Sequence, residues 1–357
     1  MTGADEAPWQ DLPTEISDEE LRQLTAGMRE PVAMTGATGF IGAHVVEALD
    51  RAGIRPRVLV RDSRRLLPVL GDRVDQIAGS LEDAAALESL VGGCGTVFHL
   101  AGVVRAGSAA EFDRGNRVGT ERLVAALRQG GPAARLVHVS SLAAAGPSAD
   151  PAGTAPDDPP APVSAYGRSK LAAETAVRTA SEWVIVRPPA VFGPRDIDVL
   201  QFFRLAARGL VPLPAGERWV TTAFVVDVVR ALLAAGSGEA WGKVLHVGDP
   251  RPMTMRALIA AIAAAGGVRT RVVPVPAALV RGAGLVGDLF QRLGARGVAL
   301  TSDKAEELLA RHWTARTEES TRRLGLAGSV PLGAAAGATW SWYREHGWVP
   351  RAKIAAR

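Results

Sequence analysis

The sequence predicts an α/β fold, a doubly wound parallel sheet of Rossmann type with helices on both faces and a smaller C-terminal lobe. Three observations predict it. From Pro31 onward, short β-rich runs alternate with helical stretches, the pattern of repeated βαβ units. The first run leads directly into a three-glycine turn, Gly36-Ala37-Thr38-Gly39-Phe40-Ile41-Gly42, and the turn opens a helical stretch. At 357 residues the chain exceeds the usual size of a single core, so an appended lobe suits its length.

Residues 1–30 are acidic and contain proline; 18–29 can form one short helix, and the segment reads as an appendage. Strands are expected at 32–35, 57–60, 76–78, 96–100, 136–140 and 183–186, with helices at 40–52, 84–91, 119–129 and 165–180. The segment 146–162 holds too many proline, glycine and aspartate residues for an element, and its length points to a functional loop. Beyond Pro188 the alternation lapses. Helices at 199–208 and 225–235, a strand at 244–247 and further helices read as a substrate lobe, 188–357, interleaved with the last sheet strands. Residues 31–187 form the core.

Hydrophobic residues make up 47% and charged ones 22%, the profile of a globular enzyme. No stretch is long and apolar enough for a membrane span, and the acidic start does not resemble a secretory signal, so a cytoplasmic address is expected. The formal charge is +4, and the basic residues are read as spread along the chain, which makes nucleic acid a poor partner. Cys94 is the single cysteine, so no intramolecular disulfide and no multi-cysteine metal site can form. No metal is expected.

The glycine turn at a strand-to-helix junction lets backbone N–H groups and the helix dipole meet a pyrophosphate. Gly36, Thr38, Gly39, Phe40 and Ile41 are the candidate contacts, and a glycine turn without ligand is the alternative. After the second strand, Arg61 favours a 2′-phosphate and hence NADP, whereas Asp62 argues for NAD. Either can equally be part of a solvated charge run. Tyr166-Gly167-Arg168-Ser169-Lys170 is the most specific signal, because the chain has only two tyrosines and four lysines. On a helix, positions i and i+4 share a face, so the Lys170 ammonium is expected to favour the Tyr166 phenolate and make it a usable general acid/base. Ser141, or its neighbour Ser140, ends a β-run where a hydroxyl can meet a substrate carbonyl, or simply cap a turn.

These residues resemble the extended short-chain dehydrogenase/reductase family, over Pro31 to about Val349. The resemblance implies cofactor contacts at Gly36, Gly39 and Gly42, in the turn Leu100-Ala101-Gly102 after His99, and at Pro188. It matches Asn116 to a family position, and it implies a catalytic set of Ser141, Tyr166 and Lys170, with Lys170 also holding the nicotinamide ribose. Ala190 and Val191 fall in the segment expected to meet substrate. Three departures stand out: Gly79-Ser80-Leu81 lacks the family's acidic contact to adenine, Leu142-Ala143 replaces the dehydratases' Asp-Glu pair, and Ala190 replaces an asparagine that holds a diphosphate. The reading is an NAD(P)-dependent oxidoreductase interconverting a secondary alcohol and a ketone on a largely apolar small molecule, closest in pattern to 3β-hydroxysteroid dehydrogenases and dihydroflavonol reductases. The alternatives are a nucleotide-sugar epimerase, with Arg195, Arg204 and Arg208 as phosphate contacts, and a non-catalytic cofactor-binding scaffold. A homodimer stays open. Leu279, Ala283, Val286, Phe290 and Leu293 lie at helical spacing, and this stripe either walls a substrate cap or packs on the domain.

Overall fold

The computed structural model describes residues 10–11, 13–62, 64, 68–129, 134–292 and 300–350. Ser63, Arg65 and Leu293 of the sequence reading lie outside these residues. Seven strands form one parallel sheet: β1 (Val32–Thr35), β2 (Arg57–Val60), β3 (Asp75–Ala78), β4 (Thr96–His99), β5 (Arg135–Val139), β6 (Glu182–Arg187) and β7 (Lys243–His246). Their order is β7-β6-β5-β4-β1-β2-β3. The chain therefore reverses its direction of travel across the sheet between β1 and β4, which opens the crevice where doubly wound folds take ligands. β1 and β4 are buried at every position, as strands covered on both faces should be.

Helices Phe40–Arg51 and Val225–Ser237 pack together on one face, and Ala84–Val91, Gly119–Gln129 and Ala165–Val177 on the other. Each face has its own apolar layer: Val45, Leu49, Val228 and Leu232 on the first, Leu87, Leu90, Leu123 and Val177 on the second. The last helix stops at Val177, where the sequence suggested Ala180, because the chain must turn through Thr179 and Ala180 to enter β6.

Residues 13–30 pack on the core, where the sequence had suggested an appendage. Helix Asp18–Thr25 buries Leu21 completely against Val225–Ser237. The fully buried Arg230 donates to Glu20 at 2.7 Å, to Asp227 at 3.1 Å and to the carbonyls of Pro13 and Glu15. A buried guanidinium needs such partners, so the acidic character of this segment has a structural cause.

Apart from β7, the strands described beyond β6 form small sheets of two or three strands. Ala190–Phe192 pairs with Thr222–Phe224, Leu210–Pro214 with Arg271–Val275, and Trp219–Val220 lies between Met253–Thr254 and His312–Trp313. A separate apolar cluster around Phe203, Ile259, Trp340 and Tyr343 holds these pieces. The loop 146–162 is pinned to them: Ser148 N–H donates to the His312 carbonyl and Thr154 N–H to the Thr314 carbonyl.

Candidate active site

The glycine turn is built for a close approach. Gly36 has φ +80°, and a Cβ there would stand 2.6 Å from the Ala101 nitrogen. One on Gly42 would stand 2.1 Å from the Gly36 carbonyl oxygen. Side chains at either position would push helix Phe40–Arg51 away from the ends of β1 and β4. Gly39 is the N-cap of that helix and supplies no side-chain cap, so the dipole end faces the crevice with Thr38, Phe40 and Ile41 around it. This cradle fits a dinucleotide pyrophosphate.

At the end of β2, Arg61 is exposed and makes no hydrogen bond or ion pair among the described residues. Asp62 is engaged by Arg64, whose Nε and Nη2 donate at 2.9 and 3.0 Å. The turn Leu100-Ala101-Gly102 follows β4 and is tied to β1: Leu100 N–H donates to the Thr35 carbonyl and Ala101 N–H to Thr35 Oγ1.

The catalytic candidates come together around helix Ala165–Val177. Ser164 caps it, accepting from Gly167 N–H at 3.0 Å, and Asp303 accepts from Ala165 N–H at 2.9 and 3.0 Å. Ser141 caps the short helix Leu142–Ala145, which lies against the first turn of the longer one. The contact is close because position 167 is glycine: a Cβ there would stand 2.3 Å from the Ala143 carbonyl oxygen. The Ser141 hydroxyl, which accepts from Ala143 N–H at 3.1 Å, is thereby brought near enough to the Tyr166 phenol to favour its ionised form. Ser140 is excluded from that role, since its hydroxyl donates to the buried Glu174 at 2.6 Å. Glu174 is held in turn by Arg187 at 2.7 and 2.8 Å, which fastens the helix to the end of β6.

Lys170 differs from the sequence expectation. Its buried Nζ donates to the Val139 carbonyl at 2.7 Å and stands over Gly102, close to Asn116. Burial pulls its pKa down to about 8, with the Glu174 carboxylate acting the other way. The Tyr166 phenol is pushed up to about 12, chiefly because its hydroxyl is shielded from water; Ser141 lowers it, and the carboxylates of Glu307 and Asp198 raise it. The Lys170 ammonium is turned to a backbone carbonyl. The raised pKa leaves the Tyr166 phenol protonated at neutral pH.

Asn116 sits on a π-helical turn, Arg114–Val118, a kind of irregularity frequent at functional sites. Its carboxamide accepts from Val103 N–H at 2.7 Å and donates to Ser169 Oγ at 2.8 Å, linking the turn after β4 to the catalytic helix. His99 bridges Thr35 and Thr120 at 2.7 and 2.9 Å, and burial holds it near pKa 3, hence neutral. The sequence reading missed Gly167, Glu174 and Asp303. Gly167 was visible inside the Tyr-to-Lys motif; the other two act through residues far away in sequence.

Pro188 follows β6 and its carbonyl accepts from Leu142 N–H at 2.8 Å, so Ala190 and Val191 emerge beside the Ser141 helix. Arg195 is not available to a substrate phosphate: it grips Glu47 at 2.7 and 2.8 Å. Arg204 donates to the Trp348 carbonyl.

The doubly wound sheet brings the glycine turn and Ser141, Tyr166 and Lys170 to its strand ends, and the family and relatives that this chain matches are those of NAD-dependent oxidoreductases. The model of the NAD dependent epimerase/dehydratase family matches residues 32–248, and the chain belongs to that family. It is 34% identical to a ceramide reductase of Caulobacter vibrioides (strain NA1000 / CB15N), over 93% of this chain and all of the relative. It is 30% identical to a 4-hydroxy-2-methyl-3-oxo-4-farnesyl-3,4-dihydroquinoline-1-oxide ketoreductase of Stigmatella aurantiaca, over 83% of this chain and 92% of that one. Among solved structures, MoeE5 in complex with UDP-glucuronic acid and NAD superposes with a TM-score of 0.70 at 27% identity, covering 89% of this chain and all of that one. No helix among the described residues is long and apolar enough to cross a membrane.

Proposed function

We propose that this protein reduces a ketone, or oxidises the matching secondary alcohol, on a largely apolar substrate, with NADP(H) as its preferred cofactor. Bound nicotinamide supplies or accepts the hydride. In the reductive direction Tyr166 donates its proton to the substrate oxygen, and Ser141 hydrogen-bonds that oxygen and the phenol. Lys170, beside Gly102 and Asn116, would hold the nicotinamide ribose. The Gly36–Gly42 turn would bind the pyrophosphate, and the free Arg61 a 2′-phosphate.

The observation that carries the substrate class is the commitment of Arg195 to Glu47, together with Ala190 at the entrance to the site. A diphosphate that meets neither Arg195 nor a polar side chain at position 190 loses two contacts that would offset the cost of burying its charge, so a nucleotide sugar is disfavoured. Phe112 lies 5.8 Å from the Tyr166 ring, ring centre to ring centre, and offers an apolar surface instead. The ceramide and farnesyl-quinoline relatives support the same class. The test is turnover across acyl-chain, isoprenoid and sterol-like ketones against nucleotide-linked sugars. Activity on the ketones is expected; activity confined to the sugars would make the protein an epimerase, and binding of cofactor without turnover of anything would make it a scaffold. For the cofactor, NADPH should bind more tightly than NADH by about tenfold, the scale of one charge-assisted contact, and Arg61→Ala should erase the difference. Equal affinities in the unaltered protein would refute the preference.

A further inference from the structure

Helix Ala277–Arg292 turns its apolar stripe outward. Val280, Gly284 and Gly287 face the protein and pack against helix Ser302–Leu309. Leu279, Leu285, Val286, Leu289 and Phe290 are each 52 to 65% exposed. At 3.6 residues per turn these five occupy an arc of about 140° whose other members are Ala278 and Gly282, so no charge interrupts it. Of the stripe expected from the sequence, Leu279, Ala283, Val286 and Phe290 are exposed and so do not pack on the domain. Single exposed apolar side chains are ordinary on a soluble protein, but a continuous band marks an interaction surface.

Charge identifies the partner. Residues 256–300 carry six arginines and one acid, Asp288, a net of +5, although the whole chain is only +4. The basic residues are therefore not evenly spread in effect: the rest of the chain is close to neutral. The side chains of Arg256, Arg269 and Arg271 make no hydrogen bond or ion pair among the described residues. Arg256 and Arg271 line one cavity of about 320 Å³, and strand Arg271–Val275 leads through Pro276 straight into the apolar helix. An uncharged apolar arc beside unneutralised guanidiniums is the composition of a helix that lies in the plane of an anionic bilayer surface.

We propose that helix Ala277–Arg292 docks on an anionic lipid bilayer, with the apolar arc among the acyl chains and Arg256, Arg269 and Arg271 at the phosphate level. Its packing partner, Ser302–Leu309, carries the Asp303 that binds Ala165, the residue before Tyr166. Docking sets the catalytic helix one element away from the membrane. This rests on the apolar-substrate reading only for its purpose, substrate uptake from the bilayer; the binding itself is independent of it.

The test is sedimentation of the full chain with vesicles of phosphatidylglycerol and phosphatidylcholine in equal parts, and with phosphatidylcholine alone. The protein should bind the mixed vesicles at least about tenfold more tightly, and added salt should narrow the gap. Leu285→Glu/Leu289→Glu/Phe290→Glu should weaken binding by at least about a hundredfold while leaving the melting curve and the turnover of a short, water-soluble ketone unchanged. Should the triple variant not fold, Arg256→Gln/Arg269→Gln/Arg271→Gln should remove the preference for anionic vesicles. Failure of the unaltered protein to sediment with mixed vesicles overturns the proposal. So does a dimer, seen by sedimentation equilibrium, that the triple variant abolishes, because the arc would then be covered by a second copy. Loss of activity on every ketone with vesicle binding intact would instead fall on the substrate reading.

Discussion

Helix Ala165–Val177 and helix Ala277–Arg292 differ in where their side chains are committed. In the first, Gly167, Ser169, Lys170, Ala173, Glu174 and Val177 are buried, and each polar group among them has a named partner. In the second, Leu279, Leu285, Val286, Leu289 and Phe290 face out, and Val280, Gly284 and Gly287 face in. Periodicity in a sequence shows that a helix has an apolar face; it does not show what that face meets. Helix Ala165–Val177 was legible because a tyrosine and a lysine four places apart are rare in a chain with two tyrosines and four lysines. The apolar helix was legible only as a stripe, since its direction depends on which neighbour offers room for Gly284 and Gly287.

The contrast can be pressed by mutation. Glu174→Leu leaves Arg187 as an unpaired cation in the core and frees Ser140, so urea unfolding should show a loss of about 3–5 kcal/mol. A loss under about 1 kcal/mol would mean that the catalytic helix is not held by this pair.

Lys170→Met should move stability the other way. A lysine with folded pKa about 8, below its unfolded value of 10.5, contributes fully to stability only above the unfolded pKa, and loses that contribution as pH falls through about 8. At pH 7 the buried ammonium is a burden. The methionine variant should then be more stable by about 1–3 kcal/mol, with the advantage vanishing above about pH 10.5, although its activity is lost. Thermal melts at pH 7 and pH 10.5 check this. A variant less stable than the parent at pH 7 would contradict it.

On the apolar helix, Leu285→Ser should change stability by no more than about 0.5 kcal/mol, since a side chain that far exposed has little to lose. A drop of about 2 kcal/mol in the same unfolding experiment would mean that the residue is covered.

The sheet was readable almost strand by strand. β1 and β2 fall where the β-rich runs put them, because parallel strands covered on both faces leave uninterrupted apolar sequence. The N-terminal helix was underestimated for the opposite reason: its acids read as solvated, and nothing nearby in sequence discloses the buried Arg230 that Glu20 serves. The strand-end position alone left Ser140 and Ser141 as alternatives, and the family resemblance pointed to Ser141; what occupies Ser140 is Glu174, 34 residues further along the chain.

The central claim is that Tyr166 is the proton donor. Single-turnover oxidation of NADPH by a saturating ketone, measured in the parent and in Tyr166→Phe, tests it most directly. The phenylalanine variant should bind NADPH normally and react at least about a hundredfold more slowly, the lower bound for removing a general acid. Because the parent phenol stays protonated to about pH 12, the parent rate should not fall through tyrosine ionisation as pH rises from 6 to 8. A Tyr166→Phe enzyme that oxidises NADPH within a few fold of the parent would contradict the account.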